Sequence, residues 1–123
     1  MTSARISVPA GQSGRLLSLG FGHIDGICAA GGKPSLAYVA DAAPVNLIDW
    51  ATTYPSSATV HTTNGLTSGN YFAEPNPTGG PQSVTFQAAE NDGISGHVAT
   101  AWTTGQDILT TSCIFTGQAL TTG

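Results

Sequence analysis

Glycine and proline punctuate this chain so evenly that almost no stretch remains in which an α-helix of average length could form. Sixteen glycines and seven prolines are spread over 123 residues. Inside a helix a glycine costs about 1 kcal/mol relative to alanine and a proline about 3, whereas both suit turns. Between them lie short, threonine- and serine-rich runs in which apolar and polar residues alternate, the period of a half-buried strand. The expected fold is therefore all-β: one domain over 1–123, a β-sandwich or small barrel of eight or nine short antiparallel strands.

Arg5 to Val8 reads as a first strand with Ile6 and Val8 on one face, and the turn residues 9–14 join it to Arg15–Leu19 as an opening hairpin. His23–Ala30 and Ser35–Ala40 follow, linked by Gly31-Gly32-Lys33-Pro34, with Leu36 and Tyr38 on a common face. Over 44–53 a short helix competes with an extended segment. Asp41 suits a cap, Pro44 suits the first turn, and Val45, Ile48 and Thr52 recur at helical spacing, yet Val45 and Leu47 would share a strand face. Asn64-Gly65, between Ser57–Thr63 and Leu66–Ala73, predicts a hairpin, because Asn-Gly accepts the positive φ angles of a type I′ turn. Pro75, Pro77 and Pro81 mark a loop. Ser83–Ala89, His97–Thr103 and Ile108–Phe115 read as the last strands, with Gly105-Gln106-Asp107 as a turn, Trp102 on the core face with Val98, and Thr121–Gly123 as a frayed tail.

Charge is scarce. Three basic residues, Arg5, Arg15 and Lys33, face seven acidic ones, for a formal charge of −4 and a charged fraction of 8%, against roughly 25% in ordinary soluble domains. Binding a phosphate backbone draws on several Lys or Arg contacts at once, so neither nucleic acid nor an anionic membrane is an expected partner. No apolar run approaches a signal-peptide core or the ~20 residues of a membrane span, and synthesis in the cytoplasm is expected. A chain kept soluble by hydroxyls and amides suits packing against neighbours, where each buried charge would need a partner. Cys28 and Cys113, beside Ile27 and Ile114, read as buried thiols, with a single bridge as the alternative.

Motifs that carry chemistry are missing. His23, His61 and His97 lie far apart and match no close-spaced metal motif. In His23-Ile24-Asp25 a strand would bring imidazole and carboxylate to one face, but two residues do not specify a metal site. Gly11-Gln12-Ser13-Gly14 lacks the spacing of a nucleophile elbow, and Gly31-Gly32-Lys33-Pro34 lacks that of a phosphate loop. Glu74, Glu90 and Asp92 are the carboxylates available for glycoside hydrolysis, but their loop settings favour solvation. No catalytic, cofactor or metal residues are expected. Among the larger aromatics Tyr54, Tyr71 and Phe72 are the candidates for a partner surface.

Ile6-Ser7-Val8-Pro9-Ala10-Gly11, followed by Leu16-Leu17-Ser18 and by Leu36-Ala37-Tyr38-Val39-Ala40-Asp41, resembles the opening of small all-β virion proteins of tailed bacteriophages. The resemblance covers the first third of the chain, and Ala40 stands where that pattern has glycine. It implies a capsid decoration or cement role without catalytic residues: a virion subunit that self-associates as a homo-oligomer and binds the major capsid protein, with residues 1–14 as an N-terminal arm. A carbohydrate-binding or adhesive module and a tube or filament subunit are the alternatives, and an enzyme ranks last.

Overall fold

A computed structural model describes residues 1–42, 44–53, 57–76, 79–91 and 96–122. Ten strands run through them: β1 (Thr2–Pro9), β2 (Gln12–Ser18), β3 (Gly22–Ala29), β4 (Lys33–Ala40), β5 (Val45–Thr53), β6 (Ser57–Leu66), β7 (Tyr71–Ala73), β8 (Gln82–Glu90), β9 (Val98–Ile108) and β10 (Ser112–Thr122). All pair antiparallel, in a six-stranded sheet ordered β1-β10-β9-β8-β5-β6 and a four-stranded sheet ordered β2-β3-β4-β7. The all-β sandwich read from the sequence is thus present, with ten strands rather than eight or nine. No helix occurs among the described residues.

The segment where helix and strand compete is β5. Val45, Leu47, Asp49 and Ala51 alternate inward along it, because β5 pairs on both sides, with β6 and β8, and a helix there would forfeit both ladders. The opening hairpin is replaced by a corner. β1 joins the large sheet and β2 the small one, and the chain crosses at Ala10-Gly11, where Gly11 has φ +85°. Ala10 N donates to Thr111 O (2.9 Å) and Gly11 N to Cys28 O (2.7 Å), so each sheet accepts one bond from the corner. Residues 1–14, expected as an arm, hold β1, paired along its whole length with β10, and the first residues of β2.

Asn64-Gly65 is a bulge rather than a turn. The β5–β6 register slips between Val45 and Leu47, Gly65 takes φ +72°, and its N–H donates to Asn46 Oδ1 (3.0 Å). The positive φ that Asn-Gly tolerates is used inside the strand, and the chain reverses later, at Thr67–Asn70, where Asn70 N donates to Thr67 O. β9 likewise continues through Gly105-Gln106-Asp107, and the reversal comes at 109–111. Thr121 and Thr122 are not a frayed tail but pair with Ala99 and Val98.

The core lies between the sheets, with Ile24, Leu36 and Tyr38 from the small sheet meeting Val45, Leu47, Val84, Phe86 and Phe115 from the large one. Cys28 on β3 and Cys113 on β10 are bridged by a disulfide, with Cα atoms 5.7 Å apart. This corrects the reading of two free thiols. Both cysteines are fully buried on facing inner surfaces, a juxtaposition across 85 residues of sequence that local pattern cannot reveal.

Candidate functional site

β6 and β7 are the edge strands of the two sheets, and two buried carboxylates, Asp49 and Glu74, meet His61 there. Asp49 points inward from β5, and His61 stands directly opposite it on β6. Glu74 follows β7 and extends its ladder, its N–H donating to Leu36 O (2.8 Å). The loop beyond is held in place: Gln82 Nε2 donates to Pro75 O (3.0 Å), and Asn76 Nδ2 donates to Pro34 O (2.6 Å) and Gly80 O (2.8 Å). The backbone therefore fixes where Glu74 sits.

His61 Nδ1 lies 3.4 Å from Asp49 Oδ2 and 3.4 Å from Glu74 Oε1. Those separations are long for hydrogen bonds. Asp49 is 0% exposed and Glu74 2%, and Asp49 Oδ1 and Oδ2, Glu74 Oε2 and His61 Nδ1 have no hydrogen-bond partner. Thr59 Oγ1 donates to Glu74 Oε1 (3.2 Å), and the His61 ring packs on Phe72 with centroids 5.3 Å apart. One ligand atom from each of Asp49, His61 and Glu74 lies within 4.8 Å of the others, so these three residues could hold a metal ion. The expectation that Glu74 is solvated on a loop is wrong: its backbone continues the β7 ladder onto Leu36 and its side chain is buried.

Burial pushes the Glu74 carboxyl up to about 8, with the adjacent Asp49 adding to the shift and Thr59 opposing it. Glu74 therefore holds a proton in the folded state that the unfolded chain, with a carboxyl near 4.5, releases. Stability from this group is full below about pH 4.5 and is lost as pH rises through about 8. Without added metal, the thermal midpoint should fall between pH 5 and 8. Glu74→Gln, which keeps Asp49 and His61 facing the site but cannot ionise, should flatten that fall; an unchanged slope would show that another group carries it.

The other two histidines also meet carboxylates. His23 Nδ1 lies 2.8 and 2.9 Å from the Asp41 oxygens, and its Nε2 is 3.4 Å from Asp25 Oδ1, so the His23–Asp25 pairing is present with Asp41 added. His97 Nδ1 is 2.6 Å from Glu90 Oε1, on the wall of a depression of about 480 Å³. Glu90 pairs with Val45, four residues along β5 from Asp49, so Glu74 finds Asp49 rather than Glu90 as its neighbour. Asp92 lies outside the described residues.

The outer face of the large sheet is a second feature. Residues facing outward on β5, β6, β8, β9 and β10 are Thr, Ser, Gln, Asn, Ala, Val, Ile, Leu and Trp, and Arg5 on β1 is the one charge on this face among the described residues. One row of it runs Val60, Trp50, Thr85, Trp102, Gln118, Ser3. Trp50 is 42% and Trp102 45% exposed, which corrects the placement of Trp102 in the core. In β9 the inward positions are Ala99, Ala101, Thr103 and Gly105, small residues that leave room for Phe86 and Phe115, so the larger side chains point out. Of the expected partner surface, Tyr71 is exposed on β7, the adjacent Phe72 turns toward the core, and Tyr54 lies outside the described residues.

Comparison with protein-family models, curated proteins and solved structures finds no match for this chain.

Proposed function

We propose that the protein is a non-enzymatic structural subunit of a phage virion, a decoration protein that binds copies of itself and a major capsid lattice through the outer face of its six-stranded sheet. The observation that carries this reading is the scarcity of charge on that face, where Arg5 at the β1 edge is the one charge among the described residues. Five interstrand spacings of about 4.8 Å make it about 24 Å wide, and nine residues of strand make it about 30 Å long. Its area, on the order of 700 Å², is close to the ~800 Å² each partner contributes to a standard interface. Threonine, serine and glutamine hydroxyls and amides can be covered and re-bonded, whereas a covered charge needs a partner of its own. Trp50 and Trp102 supply the large anchors that dominate binding energy in such patches. The buried disulfide suits a particle that ends outside the cell, where such bridges persist.

Co-sedimentation with empty capsid shells tests the reading. Wild-type chain is expected to pellet with shells, and Trp102→Asp to bind about 30-fold more weakly or worse, the loss of a hot-spot anchor. Absence of wild-type binding would remove the capsid role. Filaments formed without shells would support the tube-subunit reading instead.

A carbohydrate-binding reading is favoured by one observation: Trp50 and Trp102 flank Thr85 in the same row, two strand spacings or about 9.6 Å apart, and both present ring surface on which sugars could stack. Glycan-panel binding that disappears in either Trp→Ala variant would support it.

A further inference from the structure

We propose that Asp49, His61 and Glu74 bind one divalent transition-metal ion of the zinc type, which fastens the β6 edge of one sheet to the β7 edge of the other. The inference is independent of the capsid reading.

Three observations carry it. First, the donor set is two carboxylates and an imidazole, the nitrogen and oxygen ligands that zinc takes. Calcium and magnesium prefer all-oxygen sites with more ligands. Second, the distances fit. Ligands about 2.0–2.1 Å from a tetrahedral ion stand about 3.4 Å from one another, and His61 Nδ1 is 3.4 Å from both Asp49 Oδ2 and Glu74 Oε1.

Third, four buried polar atoms at the site make no hydrogen bond by geometry, and the one proton that Glu74 can share with Asp49 does not satisfy them all. Asp49 is fully buried with both oxygens unpartnered, and Glu74 Oε2 and His61 Nδ1 are unpartnered beside it. A buried carboxylate without a donor is costly, and a cation at this point would accept lone pairs from all three residues at once. Thr59, donating to Glu74 Oε1, acts as the outer hydrogen bond that orients a ligating carboxylate. The His61 ring is 38% exposed, whereas its Nδ1, facing the two carboxylates, is buried.

The placement gives the ion a structural task. The disulfide joins β3 to β10, next to the β2 and β1 edges, while Asp49, His61 and Glu74 lie at the opposite margin of both sheets. Disulfide and ion would close the sandwich from its two sides.

The test is calorimetric titration of zinc chloride into chelator-treated, full-length protein. The expected result is one ion per chain, a higher thermal midpoint, and slower amide exchange in β6 and β7. His61→Asn and Glu74→Gln, close in shape to the native residues, should each weaken binding by about 100-fold or more, beyond the effect of losing only an outer-shell contact. His23→Gln and His97→Gln should leave it unchanged, and magnesium should not compete. Should the first pair fail to fold, cobalt(II) added to the wild-type chain decides: the strong visible absorption of a four-coordinate ion supports the site, and the weak spectrum of a hydrated ion overturns it. No zinc binding, or binding that persists in the His61 and Glu74 variants and vanishes in the His23 or His97 variants, also overturns it.

Discussion

Replacing Cys28 and Cys113 together by alanine is expected to lower the stability of this protein by about 4–5 kcal/mol, the chain-entropy value for a cross-link of this span. The bridge closes a separation of 85 residues, so without it the unfolded chain regains a large set of conformations. The small sheet and the large sheet are joined there by side chains alone, β3 on one and β10 on the other. A loss of that size is about a quarter or more of the 5–15 kcal/mol typical of a domain, and at this chain length it corresponds to a fall in thermal midpoint on the order of 15 °C. Urea unfolding with and without reductant checks it. The reduced wild-type chain should match the double variant, and titration of the oxidised native chain should find no free thiol. Equal stability in oxidised and reduced forms would mean that the bridge constrains nothing.

Phe115→Ala is expected to cost about 4 kcal/mol, within the range for emptying a core aromatic site, and the adjacent glycines explain why that site tolerates so little change. Phe115 is two residues from Cys113 on the inner face of β10, and Gly26 is two residues from Cys28 on the inner face of β3, so the ring fills the rung next to the disulfide. A Cβ at Gly26 would overlap the ring, and one at Gly105 would come within 2.8 Å of it. Gly26→Ala should therefore destabilise by about 3 kcal/mol through overpacking. In a Phe115→Leu background the same change should cost at least about 1 kcal/mol less, since contacting residues couple on that scale. Strict additivity of the two substitutions would refute the clamp.

These two rungs show what the sequence could and could not disclose. The all-β class was legible because glycine and proline spacing is a local property, and so was the inward pairing of Leu36 with Tyr38. The role of Gly105 was not. In the sequence it looks like turn chemistry, whereas in the fold it makes room for a ring on the neighbouring strand. Asn64-Gly65 misleads for a related reason, since a bulge and a tight turn require the same positive φ. Trp102 was misplaced because β9 turns alanine, threonine and glycine inward, so side-chain size pointed to the wrong face.

The polar site was half legible. Once residues 45–53 are taken as a strand, Val45, Leu47, Asp49 and Ala51 fall on one face, and a carboxylate among buried apolar residues is a signal in its own right. His61 and Glu74 could not be joined to Asp49 that way. Their meeting depends on β6 and β7 occupying the same margin of different sheets, a relation that no periodicity encodes.

The proposal that the charge-poor outer face of the six-stranded sheet is a protein interface predicts self-association. Sedimentation equilibrium on the purified chain over a wide range of concentrations tests it most directly. The wild-type chain should reach a mass that is a multiple of 12.4 kDa at tens of micromolar, while a Trp50→Asp/Trp102→Asp variant of unchanged fold stays at the monomer mass. A wild-type chain that remains monomeric throughout, or a variant that associates as well as the wild type, would contradict it.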